Sequence, residues 1–388
     1  MKVKLIRTST VPISLNVLLK GQLNFLNKKF KTIAVSSPGK DLEIVKEREG
    51  VMVKTVSMER SISPVKDLVS LIKMYILFIK EKPQIVHSIT PKAGLISMIA
   101  AYLARVPIRM HTFTGLIFPS KEGVLRRILI FMDRVLCFCA TNIYPEGEGV
   151  KNDLVKSKIT KKELKVLANG NVNGVDLEHF NANKITSTEI HNLKKQLEIG
   201  EGDFVFVFVG RLVKDKGVNE LVEAFNKQSL LHTNVKLVLV GSMEIELDPL
   251  KKETLDIIKG NQRIISVGYQ NDIRPYLTIS NVLVLPSYRE GFPNVVIQAG
   301  AMGLPSIVTD INGANEIIIN RENGLIVQKK EVEVLFEAMQ KLYSDNELYC
   351  KLKENTRVLI ESRYDQKVVW NALLNEYQDL LKKNKYVV

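Results

Sequence analysis

Residues 281–310 read NVLVLPSYREGFPNVVIQAGAMGLPSIVTD, and the class of the whole chain follows from their order. Residues 282–285 form an apolar run of buried-strand length. Pro286 ends it, and a polar turn with Tyr288, Arg289 and Glu290 follows. Gly291, Phe292, Pro293 and Asn294 lead into residues 295–302, which read as a helix, and residues 305–308 read as a second strand. Strand, polar loop, helix and strand make one α/β repeat. In open parallel sheets of this kind the ligand sits beyond the carboxyl ends of the strands. The main-chain amides of Phe292, Asn294 and Val295 are expected to point into that crevice, where the start of a helix favours anionic or oxygen-rich ligands.

The alternation extends outward from this unit. Towards the amino end, strand patterns at 3–7, 31–36, 85–87 and 107–112 interleave with helix patterns at 17–27, 65–80, 93–103 and 124–138. From 204 onward the alternation resumes, with strands at 204–209, 235–240, 264–267 and 324–327 and helices at 218–226 and 250–259. The run FVFVFV at 204–209 is apolar throughout, as a strand buried on both faces requires. The fold class is therefore α/β, with parallel sheets covered by helices on both sides. A chain of 388 residues exceeds one ordinary core and suits two domains. Two Asn-Gly pairs at 169–170 and 173–174 are strong turn punctuation. They assign a first domain to 1–168, a linker to 169–182 and a second domain to 183–365, entered through a polar surface helix within 183–200. Residues 366–388 carry an amphipathic C-terminal helix.

Composition narrows the function classes. No apolar stretch approaches the roughly 18 uninterrupted residues of a membrane span, and the first residues read as a strand rather than a signal peptide. Cys137, Cys139 and Cys350 form no disulfide framework and no zinc set. A formal charge of +13 admits nucleic acid, a membrane surface or an acidic ligand as partner. No zinc finger, aromatic RNA-binding signature or basic tail is present, which argues against nucleic acid.

A second motif, VGRLVKDKG at 209–217, follows a buried strand and opens a helix. Gly210 lets the backbone approach a ligand, and Arg211 and Lys216 place two cations beside it. An Arg can fork onto two phosphate oxygens while a Lys acts as a point charge, so the pair suits a diphosphate. The loop is not a Walker motif, because its glycine and lysine spacing differs.

Together the two motifs resemble those of family-4 retaining glycosyltransferases, which have the GT-B fold. The resemblance implies two Rossmann-like domains facing across a cleft, with the C-terminal helix returning to the first. In that family a Glu followed by Gly-Phe/Leu-Pro precedes a second Glu eight positions on; here Glu290 is followed by Gly291, Phe292 and Pro293, and position 298 is Gln. The resemblance gives Arg211 and Lys216 the donor diphosphate, and Glu290 the donor sugar's hydroxyls or the charge at its anomeric carbon. Gly291, Phe292, Pro293, Asn294 and Val295 would offer amides to the sugar and distal phosphate. Gln298, expected two helical turns on from Glu290 and on the same face, would contact the ribose with a bond that is no longer charge-assisted. His111 corresponds to the family's cleft His near the reacting sugar, and Gly21 to the glycine of the first β–α loop, near the donor phosphates. Residues 90–94 also top a strand; they read as an ordinary helix start, with the lining of the acceptor cleft as the alternative.

The implied activity is hexosyl or N-acetylhexosaminyl transfer from a nucleotide sugar, UDP-linked, to an acceptor hydroxyl on a polyprenyl-diphosphate-linked glycan or oligosaccharide, in capsule or surface polysaccharide biosynthesis. No metal and no cofactor beyond the donor is expected. Arg105, Arg109, Lys121, Arg126, Arg127 and Arg134 lie among apolar stretches, so an anionic membrane surface is a further expected partner. That places the chain in the cytoplasm, peripheral at the inner face of the plasma membrane. Two alternatives share the fold: a nucleotide-sugar epimerase, and a non-catalytic partner subunit, which Gln298 favours.

Overall fold

Two six-stranded parallel sheets run through the computed structural model, which describes residues 2–386 except 60, 245 and 247. The chain divides into two units, Met1–Gly174 with Lys367–Val388, and Val175–Gln366. The division after Gly174 falls inside the Asn-Gly stretch, and residues 175–182 belong with the second unit.

In the first unit the order is β1 (Lys4–Thr8), α1 (Pro12–Leu18), α2 (Gln22–Asn27), β2 (Lys31–Ser36), α3 (Lys40–Glu49), β3 (Met52–Thr55), α4 (Pro64–Glu81), β4 (Ile85–Ile89), α5 (Pro91–Leu103), β5 (Ile108–Phe113), α6 (Gly123–Cys139), β6 (Asn142–Pro145) and α7 (Glu148–Lys156). The second unit holds α8 (Ser187–Gln196), β7 (Phe204–Val209), α9 (Val218–Leu231), β8 (Val235–Val240), α10 (Lys252–Gly260), β9 (Ile264–Gly268), α11 (Arg274–Thr278), β10 (Val282–Leu285), α12 (Asn294–Ala301), β11 (Ser306–Thr309), α13 (Ala314–Ile317), β12 (Gly324–Val327), α14 (Val332–Ser344) and α15 (Asn346–Tyr364). The last helix, α16 (Gln366–Lys383), belongs almost wholly to the first unit.

The strand orders are β3-β2-β1-β4-β5-β6 and β12-β11-β10-β7-β8-β9. Counted within each unit, both are the doubly wound order that reverses direction next to its first strand. Each unit therefore has one switch point, between β1 and β4 in the first and between β7 and β10 in the second.

Successive strand residues face opposite sides of the sheet, and the cores follow that rule. Ile6, Ile33 and Val86 meet Met74, Phe78 and Met98 on one face of the first sheet. Leu5, Ile85 and Ile108 meet Phe30 and the α16 residues Leu373, Tyr377 and Leu381 on the other. In the second unit β10 is buried along its length and β7 and β8 along most of theirs, and the three anchor a single continuous core.

The helix expected over 17–27 is two helices. The apolar period runs through the break, since Leu15, Leu19 and Leu23 are all buried, which is why the sequence reads as one element. Two local features divide it. Gly21 sits at φ +80°, and a Cβ there would lie 2.7 Å from the Trp370 ring of α16. The buried carboxylate of Glu49 then caps α2 from outside, accepting from the amides of Gly21 at 2.9 Å and Asn24 at 3.0 Å.

Candidate functional site

The second unit's switch point brings the two motifs together. Strands β7 and β10 pair directly; Gly210 and Arg211 follow the first, and the segment from Pro286 to Glu290 follows the second. Two close backbone approaches fix the loops. At Gly217, with φ +69°, a Cβ would lie 2.0 Å from the Pro286 carbonyl oxygen. At Gly241 it would lie 1.8 Å from that of Gly210. Only glycine permits contacts this tight. A hydrogen bond from the Tyr288 amide to the Asp215 carbonyl, 2.9 Å, ties the same two loops.

Charged side chains converge on this seam. Lys216 Nζ lies 2.5 Å from Glu290 Oε1, and Ser287 Oγ donates to the same oxygen at 2.8 Å. The Ser287 carbonyl in turn accepts from Thr309 Oγ1 at 2.5 Å, fastening the turn to β11. Arg211 Nη1 pairs with Glu244 Oε2 at 2.5 Å, and Arg289 Nε with Asp215 Oδ2 at 2.5 Å. Both guanidinium side chains remain 61% exposed, so these pairs are held by little net energy, ~0–1 kcal/mol. Tyr288 Oη donates to Glu220 Oε1 at 2.6 Å; burial, and then that carboxylate, push its pKa up and keep the phenol protonated. The exposed Arg211 can therefore exchange Glu244 for an incoming anion at little cost, whereas Lys216 and Glu290, 23% and 14% exposed, form a more enclosed pair.

The segment after Glu290 is pinned from behind. A Cβ on Gly313, at φ +76°, would lie 2.3 Å from the Gly291 carbonyl oxygen, so the turn after β11 lies directly against it. Phe292 buries its ring edge-on to Tyr364, centroids 5.7 Å apart, and can offer a ligand only its main chain. Pro293 is the residue before α12, whose first turn starts at Asn294 and Val295, and the Val296 amide bonds back to the Pro293 carbonyl at 3.0 Å. Gln298 is half-buried on α12, and its side chain has no hydrogen-bond partner among the described residues. Because α12 begins four residues after Glu290, Glu290 and Gln298 do not share a helical face, contrary to the sequence expectation.

Two other expectations are corrected. His111 lies within β5, 1% exposed, rather than at a strand end. Its Nδ1 is 2.8 Å from Ser88 Oγ, its ring stands edge-on to Phe113, and a Cβ on Gly94 would come within 2.4 Å of it. Burial draws its pKa down to about 3, so the ring is neutral. Enclosed by its own sheet and α5, it is a core residue. Gly21 is not in the first β–α loop, which is Ser9, Thr10 and Val11; it starts α2, one helix further on, against Trp370. Conversely, Ser287, Glu244, Asp215 and Gly313 were not singled out by the sequence. For Gly313 a signal exists, an Asn-Gly turn shortly after a strand that ends at Thr309.

Comparison with known proteins agrees with this geometry. Residues 189–359 match the family model of glycosyl transferases group 1, and residues 12–144 the glycosyl transferase 4-like model. The capsular polysaccharide biosynthesis glycosyltransferase CapM of Staphylococcus aureus is 35% identical over 95% of both chains. The UDP-Gal:alpha-D-GlcNAc-diphosphoundecaprenol alpha-1,3-galactosyltransferase of Escherichia coli is 32% identical over 74% of both. Among solved structures, HepE of Anabaena in complex with UDP superposes with a TM-score of 0.81 at 17% identity, covering 98% of this chain and 100% of that one. WaaG, a glycosyltransferase involved in lipopolysaccharide biosynthesis, does so at 0.69 and 13%, covering 96% and 99%. The chain is a member of the group 1, family-4 glycosyltransferases and has their GT-B fold.

Proposed function

We propose that this enzyme transfers a hexosyl or N-acetylhexosaminyl group, with retention, from a UDP-sugar to a hydroxyl of a polyprenyl-diphosphate-linked glycan during capsule or surface polysaccharide synthesis. The observation that carries the reading is the contact of Lys216 with Glu290 across the β7–β10 switch point, beside the exposed guanidinium of Arg211. The names of the E. coli relative and of a Campylobacter jejuni relative, 26% identical over 76% of this chain, support the acceptor, and the UDP complex of HepE supports the donor. In this reading the anomeric C–O bond to the diphosphate breaks, and the acceptor oxygen attacks on the same face. The acceptor's proton leaves with the departing UDP. Arg211 and Lys216 stabilise the charge that grows on the diphosphate, and Glu290 faces the donor sugar. Positioning and electrostatics supply the acceleration, without a metal.

Peripheral attachment to an anionic membrane at the cytoplasmic face completes the proposal. Among the described residues no helix is long and apolar enough to cross a membrane. Helices α4 and α6 flank α5. They expose Leu68, Ile72 and Ile76 on one and Val124, Ile128 and Phe131 on the other, with Lys66, Lys73, Arg126, Arg127 and Arg134 exposed beside them.

The test is transfer from a panel of UDP-sugars to undecaprenyl-diphosphate-linked mono- and disaccharides, with and without chelator, the product anomer read by NMR. A product of unchanged anomeric configuration, formed equally in chelator, is expected. Sugar released as the main product in the absence of acceptor would instead indicate the epimerase class. Failure to bind any UDP-sugar would indicate a non-catalytic subunit.

A further inference from the structure

The first unit has its own switch point, between β1 and β4, and a cavity of about 370 Å³ opens there. That is within the usual size of small-molecule sites, ~300–1,000 Å³, and at the position where doubly wound sheets take their ligands. Thr10 and Thr90, following β1 and β4, line it and are bonded to each other, Oγ1 to Oγ1 at 2.9 Å and Thr10 N to Thr90 Oγ1 at 3.0 Å. Thr10 also accepts from the Ala93 amide at the start of α5, 3.1 Å. These bonds hold Thr90 at φ +70°, a conformation a β-branched residue rarely adopts and one that gathers at functional sites.

The remaining walls decide what the cavity can hold. Val11, Leu95, Leu116, Leu129 and Met132 make them apolar. Lys92 lines the cavity but is already neutralised: its Nζ meets Asp67 Oδ1 at 2.8 Å and Oδ2 at 2.9 Å, and also the Ser61 carbonyl. Asp133 lines the cavity with no hydrogen-bond partner among the described residues. A carboxyl placed among these side chains is driven towards its neutral form; burial raises its pKa to about 7. An anionic ligand group would meet no unpaired cation here and would confront this carboxyl. A neutral hydroxyl or amide would satisfy it.

We infer that this cavity receives an uncharged, apolar-faced sugar of the acceptor, a deoxy or N-acylated residue, with Asp133 hydrogen-bonded to one of its hydroxyl or amide groups and the acceptor's diphosphate left outside. The inference rests on the transferase reading above and adds to it the class of sugar accepted and the residue that contacts it.

The experiment titrates the full chain, held with saturating UDP, with methyl glycosides of N-acetylglucosamine, 6-deoxygalactose and glucuronic acid, binding being followed by saturation-transfer NMR. UDP affinity and melting temperature are measured on every variant. Binding of the N-acetyl or deoxy glycoside but not the glucuronide is expected. Leu129→Trp, which fills the cavity, should abolish it. Asp133→Leu should weaken it by about two- to tenfold, the worth of one hydrogen bond, while Asp133→Asn stays within about twofold. All variants should bind UDP as the parent does. Glycoside binding that survives both Leu129→Trp and Asp133→Leu overturns the cavity assignment and leaves the transferase reading standing. So does a glucuronide that binds as well as the neutral sugars, or the absence of any glycoside binding to a parent chain that binds UDP. A parent chain that does not bind UDP overturns the transferase reading itself, and the acceptor assignment with it.

Discussion

In the proposed reaction Lys216 is the residue on which donor chemistry turns, because its partner changes. Without donor it is held by Glu290, which Ser287 also grips; with donor it would meet phosphate oxygens and leave Glu290 to the sugar. Lys216→Ala should therefore lower kcat/KM by about 10²–10³, the range for loss of one group that stabilises transition-state charge, with melting temperature little changed. Steady-state transfer rates check this, and a loss below tenfold would reject the role. Glu244 competes with the same ligand for Arg211. Since the pair is exposed and contributes at most about 1 kcal/mol, Glu244→Gln should tighten UDP binding by no more than about fivefold. Weaker binding by calorimetry would mean that Glu244 organises the loop instead. Lys216 and Glu290 are legible in the sequence because each stands at a fixed distance from a turn glycine after an apolar run. Glu244 is not. Its meeting with Arg211 depends on how far the loop after β8 folds over Gly210, and that follows from the Gly241 contact.

At the scale of elements, legibility tracked burial. Strands β2, β8, β10 and β12 have the bounds that their sequence patterns give. Helix α3, KDLEIVKERE, was not anticipated, since only Leu42, Val45 and the capping Glu49 are buried on it. Edge strand β3 has only half-buried and exposed residues and carries no apolar alternation. Helix α14 does carry the helical period, in Leu335, Ala338, Met339 and Leu342, whereas α13 is a single turn and α15 buries single residues along a largely polar sequence. The burial of His111 was not legible, because nothing local to its Thr-Gly turn reveals that Ser88 and Gly94 enclose it. The two loops of the proposed donor site depend on contacts that any side chain would break, which makes Gly217→Ala a test of the element rather than of chemistry. Its methyl would overlap the Pro286 carbonyl in a left-handed conformation. Overpacking of about 1–3 kcal/mol and roughly 1–2 kcal/mol for the backbone should lower the melting temperature and abolish UDP binding together. Full UDP affinity in a stable variant would show that the approach does not shape the site.

For the molecule as a whole, ionisation in the first unit sets how stability responds to pH. Burial lowers the pKa values of His87 and His111, whereas the unfolded chain titrates them near pH 6.5. Below about pH 6.5 the unfolded state takes up protons that the folded state refuses, so each His loses about 1.4 kcal/mol of stability per pH unit. Asp133 opposes them, because its raised pKa makes the folded state the better proton acceptor from about 7 down to about 4. Two groups outweigh one, and the first unit should weaken as pH falls from about 6.5 to about 5. The single tryptophan, Trp370, packs against Phe25 in that unit, so its fluorescence in urea reports the transition. His111→Asn should flatten the dependence and Asp133→Asn steepen it; the opposite order would refute the assignment. The same unit bears the expected membrane face, and its physics separates two contributions. Charge attraction from Lys and Arg is worth about 1 kcal/mol per residue near an anionic surface and is screened as the Debye length falls from roughly 10 Å at about 0.1 M salt to roughly 3 Å at about 1 M. Insertion of Leu68, Ile72, Ile76 and Phe131 is not screened. The protein should therefore sediment with phosphatidylglycerol vesicles but not phosphatidylcholine vesicles, and release only in part at high salt. The double variant Ile72→Glu/Ile76→Glu should fail to bind at either salt while melting as the parent does, because both positions are exposed. If it binds as the parent does, α4 is not the docking face.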